Sequence, residues 1–93
     1  MGVVRWSDEA ERDLLEIHDF IAQQNPVAAD RMQALFSRAV KNLQDHPLIY
    51  REGRVSGTRE IVVHPNYVLI YRIADDAVWI VSVLHSARRY PPE

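Results

Sequence analysis

Residues 59–85 read REIVVHPNYVLIYRIADDAVWIVSVLH. Runs of β-branched and aromatic residues are broken twice by turn-forming pairs, Pro65-Asn66 and then Asp75-Asp76. The stretch predicts strands over 59–65, 67–73 and 77–85, joined as an antiparallel meander. The middle run, YVLIYRI, is apolar at almost every position instead of alternating, which predicts a central strand covered on both faces. Tyr67, Leu69, Tyr71 and Ile73 share one of those faces, and Val68, Ile70 and Arg72 share the other. A guanidinium at position 72 demands an explanation, because burying an unpaired charge is costly. Either Arg72 pairs with an acid, with Glu60 the candidate, or it emerges on a face that is not fully covered.

Upstream the period changes. VVRW at 3–6 predicts a short first strand. Ser7 is placed to cap a helix whose first turn carries Asp8 and Glu9, where the helix dipole favours acids. Ala10, Leu14, Ile17 and Ile21 recur at helical spacing and predict an inward stripe, opposite an acidic face of Glu9, Asp13 and Glu16. Asn25-Pro26 reads as the N-cap and first residue of a second helix. Its buried stripe is Met32, Leu35, Phe36, Ala39, Val40 and Leu43, and Pro47 ends it. PLIYREGRVSGTRE at 47–60 is a polar connection punctuated by Gly53 and Gly57. The element order is βααβββ: an α+β domain with a helix hairpin on one face of a small, mainly antiparallel sheet.

With 93 residues, 47% of them hydrophobic and 26% charged, the chain suits a single domain spanning 1–93. No run is long and apolar enough for a membrane span, and the first residues lack the pattern of a signal peptide. Without cysteine there is no disulfide, thiolate metal site or cysteine nucleophile, and a cytoplasmic location is expected. The net charge of −2 argues against a broad, salt-driven nucleic-acid binder. That charge is unevenly spread: five basic residues face eight acids before residue 47, and six arginines face five acids after it. Lys41 is the sole lysine, so the basic chemistry is planar and bidentate.

Arg54, Arg59, Arg72, His85, Arg88 and Arg89 all fall in the sheet half. They either line a concave surface on the helix-free face or are scattered and solvated. His64 and His85 are either an acid–base pair or structural residues at strand ends, while His18 and His46 suit caps or surface. No spacing of histidines fits a metal, and there is neither a phosphate-binding glycine loop nor a serine nucleophile elbow. No cofactor and no metal are expected. The terminal HSARRYPPE is either a solvated fringe or the working part.

GRVSGTREIVVHPNYVLIYRI (53–73) followed by IVSVLHSARRYP (80–91) resembles the RelE/ParE superfamily of toxins from bacterial type II toxin–antitoxin systems, and more narrowly its ParE branch. WSDEAERDLLEIHDFIAQQNPVAADRM (6–32) is similar to that family's helix hairpin, and HPLIYREGRV (46–55) to its connection. The resemblance implies a βααβββ fold and a growth-inhibiting toxin neutralised by a cognate antitoxin, whose C-terminal segment folds along it in a hetero-oligomer. Operator DNA is then bound only through the antitoxin, and no membrane is involved. ParE-type members imply DNA gyrase as target, with Arg54, Arg59, His85, Arg88, Arg89 and Tyr90 as the target-binding set. Asp13, Leu14, Ile17, Ile21 and Arg72 are assigned to the antitoxin. The alternatives are a RelE-like ribosome-dependent mRNA endonuclease, using Arg59, Arg72, His85, Arg88 and Tyr90, or a degenerate, non-toxic interaction module.

Overall fold

The computed structural model describes residues 2–86. Its elements are β1 (Val4–Trp6), α1 (Asp8–Gln24), α2 (Pro26–Asp45), β2 (Arg51–Glu52), β3 (Arg59–His64), β4 (Tyr67–Ala74) and β5 (Ala77–His85). The five strands lie in the order β1-β5-β4-β3-β2. All neighbours are antiparallel except β1 and β5, which run parallel. This is the expected α+β arrangement with one addition. The polar connection contains a two-residue strand, β2, which extends the sheet beside β3.

Local chemistry sets the helix ends. The Ser7 hydroxyl oxygen accepts from the Ala10 N–H at 3.0 Å and caps α1. Asn25 serves both helices. Its N–H donates to the Ile21 carbonyl at 2.8 Å, closing α1, while its side chain accepts from the Ala28 N–H at 3.0 Å, opening α2. With Pro26 directly behind it, whose missing N–H is harmless at the first helical position, the hairpin turns on one residue. At the opposite end of the chain's regular structure, Asp75 and Asp76 take φ of 54° and 60° in the two-residue loop between β4 and β5. Positive φ at both positions is what right-twisted hairpins require, and aspartate tolerates it better than most residues.

The hairpin covers one sheet face. Ala10, Phe36, Ala39 and Leu43 from the helices bury against Ile61, Leu69, Tyr71, Val78, Ile80 and Val83. Val68, Ile70 and Leu84 form a second buried cluster, with Val81 packed against it. β4 is thus buried from Val68 to Tyr71, as its unbroken apolar run requires. The pairing of β4 with β5 shifts by a bulge between Ile70 and Tyr71, where Ile70 faces Ser82 and Tyr71 faces Ile80.

Asp13 does not join the solvated acidic face expected of it. It is half-buried, accepting from the Ser82 hydroxyl at 3.1 Å and from the Val83 N–H at 3.0 Å. β1 pairs with β5 only from Val78 to Ile80. Beyond that the β5 edge needs other partners, and α1 supplies them. The Ser7 hydroxyl donates to the Val81 carbonyl at 3.1 Å, and Asp13 takes the next donors.

Tyr71 is fully buried and its hydroxyl donates to the Pro47 carbonyl at 2.5 Å. Burial pushes its pKa up to about 12, against a smaller lowering by Arg59 and a smaller raising by Tyr50. Between roughly pH 10 and 12 the unfolded chain loses this proton while the native chain keeps it, so stability falls as pH rises. The expected loss is about 2–3 kcal/mol across that window. In Tyr71→Phe this alkaline loss should disappear, at the expense of about 1 kcal/mol near neutrality from the missing hydrogen bond. Denaturant melts of both proteins from pH 7 to 12 check this, and parallel pH profiles would refute it.

Candidate functional site

The arginines of the sheet half serve three separate tasks. Glu60, 3% exposed, projects from β3 opposite Arg51 on β2 and Ile70 on β4. Its Oε1 meets Arg51 Nη2 at 3.2 Å. Its Oε2 accepts from the Arg54 backbone N–H at 2.9 Å, with Arg54 Nε at 3.4 Å. One buried carboxylate thus gathers two guanidiniums and a backbone donor, and ties the β2 edge to the sheet.

Of the two readings of Arg72, the pair with Glu60 is therefore not formed, and the exposed position is the one found. β3 begins at Arg59, which faces Tyr71, so Arg72 lies past the end of β3 and has Trp79 as its β5 neighbour. Arg51 and Arg54 reach the acid from nearer positions. Arg72 is exposed and among the described residues makes no ion pair. In register it forms a row with Trp79 and Arg5 on the face away from the helices.

Arg59 is on the other face, beside Tyr71. Its Nη1 donates to the Tyr50 carbonyl at 2.8 Å and the Leu48 carbonyl at 3.3 Å. His85 lies at the far end of the sheet. There His64, Tyr67 and His85 sit abreast on β3, β4 and β5, with Tyr67 ring centroids 6.1 Å from His64 and 5.5 Å from His85. His64 Nδ1 accepts from the Asn66 N–H at 3.0 Å, fixing the Pro65-Asn66 turn. Arg88, Arg89 and Tyr90 lie outside the described residues.

Two clefts flank α1. One, of about 460 Å³, is lined by Trp6, Glu11, Leu14, Leu15, His18 and Gln33. The second, of about 240 Å³, lies between α1 and the end of β5, where Asp13, Glu16, Ile17 and Phe20 face Tyr67 and His85. Leu14 and Ile17 thus border open clefts, and Ile21 is half-buried farther along α1. Leu15 and Phe20, which the helical stripe left out, are both more than half exposed. Arg72, on the opposite side of the sheet, does not belong to the surface these residues form. Sequence reasoning also missed Arg51. Its only signal is a position in an arginine-rich connection, since its acid partner is nine residues away.

Two helices packed on one face of a five-stranded, mostly antiparallel sheet is the fold seen in solved type II toxin–antitoxin structures. Residues 4–90 match the family described as the ParE toxin of type II toxin-antitoxin system, parDE, and the chain belongs to that family. It is 40% identical to toxin RelE2 of Caulobacter vibrioides over 90 residues, covering 95% of this chain and 99% of that one. It is 38% identical to putative toxin Y4kP of Sinorhizobium fredii over 89 residues, covering 95% and 92%. Its fold is similar to that in the structure of the chromosomal ParDE system from P. aeruginosa, with a TM-score of 0.80 at 20% identity over 91% of this chain and 96% of that one.

Glu60→Ala should destabilise the domain by about 2–3 kcal/mol. That is below the figure for a fully buried pair, because both arginines retain contact with water. Arg72→Ala should change stability by no more than about 0.5 kcal/mol. Thermal melts of the two variants test the assignment, and the reverse order would show that Arg72, not Arg51 and Arg54, is the partner that matters.

Proposed function

We propose that this toxin arrests growth by binding DNA gyrase through its surface, and that a cognate antitoxin neutralises it by covering the clefts along α1. The observation that supports a binding role over RNA cleavage is the dispersal of Arg59, Arg72 and His85 among the described residues. Arg59 and His85 face β4 residues Tyr71 and Tyr67, four positions apart, or roughly 13 Å along the strand. Arg72 is on the opposite face. A ribonuclease needs an acid–base group and charge-stabilising donors around one phosphate, within hydrogen-bond reach. Arg59 also has its guanidinium on two backbone carbonyls. A protein partner makes no such demand for convergence.

The antitoxin reading rests on α1. Asp8, Glu9, Glu11, Glu16 and Asp19 make it strongly acidic, while Leu15 and Phe20 stand exposed among them. An amphipathic segment with apolar anchors and basic flanks suits that surface. In the E. coli DinJ–YafQ complex, a fold similar to this one is seen with an antitoxin, with a TM-score of 0.62 at 18% identity.

Cleavage of mRNA on the ribosome is the second reading. It is favoured by the name of the RelE2 relative and by the Tyr67 ring set between two histidines. Toxin released from its antitoxin should inhibit gyrase supercoiling and leave ribosome-bound mRNA intact. Cleaved mRNA with unaffected supercoiling would reverse the assignment. His85→Gln then separates the mechanisms, with a change of a few-fold at most for a gyrase binder and a loss of roughly 10²–10⁴-fold for a nuclease that uses it as acid or base.

The tail is assigned to the target as well. Arg88→Ala combined with Arg89→Ala should abolish growth inhibition while the melting temperature stays unchanged, because guanidiniums offer directional charge to an acidic surface. Full toxicity in that double variant would remove the tail from the target site.

A further inference from the structure

The connection between α2 and β2 displays two apolar side chains that stand mostly in solvent. Leu48 and Ile49 are 67% and 69% exposed, the highest values among the large exposed hydrophobic side chains of the described residues. The backbone beneath them is nevertheless held on three sides. The Tyr71 hydroxyl donates to the Pro47 carbonyl, and one nitrogen of Arg59 donates to the carbonyls of Leu48 and Tyr50. Pro47 is buried, and the Tyr50 ring meets Tyr71 edge-on with centroids 6.3 Å apart. The tip is thus an aliphatic pair on a clamped base. The two exposed side chains add little to the fold of this chain. In an interface the clamped base removes the ordering cost that a flexible loop would bring, and the tip presents the kind of anchor that fills a partner's pocket.

The charge beside the tip is also directional. Glu60 has a side chain 2% exposed, whereas those of Arg51 and Arg54 are 59% and 35% exposed. The carboxylate is inside and the Arg51 guanidinium outside, so a cationic group stands beside the tip. Glu52, next along β2, alternates to the Arg59 side. Adjacent aliphatic side chains have no ring on which a base could stack, so an anchor at the tip fits an apolar protein pocket and not a nucleobase. Strand order separates the tip from the cleft beside Trp6. β2 and β1 are opposite edges of the sheet, four strand spacings or about 19 Å apart.

We propose that Leu48 and Ile49 are the anchor by which this toxin engages its protein target, inserting into an apolar cleft edged by a carboxylate that meets Arg51. Arg59 is then a positioning residue that never touches the partner. This deepens the gyrase-binding reading and rests on it.

The test uses toxin released from its antitoxin complex, as wild type and as the double variants Leu48→Ser/Ile49→Ser and Leu48→Met/Ile49→Leu. Supercoiling inhibition, antitoxin affinity, melting temperature and growth arrest are measured for each. The serine pair should weaken gyrase inhibition by at least about 30-fold, the scale of a lost hot spot. Its melting temperature should be unchanged, and its antitoxin affinity should stay within about 3-fold, as for a remote surface change. The conservative pair should retain inhibition. Undiminished inhibition by the serine pair overturns the proposal, as does selective loss of antitoxin affinity. If wild-type toxin leaves gyrase untouched, it is the gyrase reading that fails. Growth arrest then judges the tip, and a serine pair as toxic as wild type overturns the proposal.

Discussion

The fold turns on the requirement that β4 be covered on both sides. From Val68 to Tyr71 every side chain is buried, so neither face of the central strand can be left to water. On one side the helix hairpin meets that need, and its single-residue corner at Asn25 sets α1 and α2 antiparallel over Leu69 and Tyr71. On the other, Val68 and Ile70 join Leu84. The bulge beside Ile70 adjusts the register with β5, so that Ile80 and Val83 both reach the main core. The edge groups then follow. Asp13 and Ser7 complete β5 where the short β1 stops, and Glu60 draws in the β2 edge.

What could be read from the sequence was whatever depended on near neighbours. Ser7, Asn25-Pro26 and the Asp75-Asp76 pair act on residues within a few positions, and each marks an element boundary correctly. The unbroken apolar run at 67–73 announced its own burial. What failed depended on contacts between distant segments. A two-residue strand has no periodicity to detect, and β2 exists because residues 51 and 52 lie against residues 59 and 60. Strand parity gave the face of Arg72 but not its place along the ladder, so it could not decide between a pair with Glu60 and an exposed position. Asp13 fell on the polar side of α1 by helical spacing. Its inward role appears only once the helix is laid across the exposed end of β5.

The same limit applies to the site. An arginine-rich half was legible, but the tasks of its members were not. Arg51 and Arg54 share a buried acid, Arg59 holds carbonyls, and Arg72 stands with Arg5 on the helix-free face. Guanidinium geometry suits all of these tasks, because one planar fork can hold two acceptors at once. Leu48 and Ile49 are a further case. They lie in a stretch read as a polar connection, and their clamped, outward placement appears only in the structure.

The parallel pairing of β1 with β5 has a consequence for biosynthesis. Ser7 and Val81 are bonded across 74 positions, and among the described residues β1 has β5 as its strand neighbour. A ribosome working at roughly 5–20 residues per second needs about 4–15 s to make the intervening chain. For that interval the nascent N-terminal strand has no sheet to enter and the hairpin has no β5 to lie against. Docking of β1 and of the hairpin onto the sheet therefore waits for the synthesis of β5.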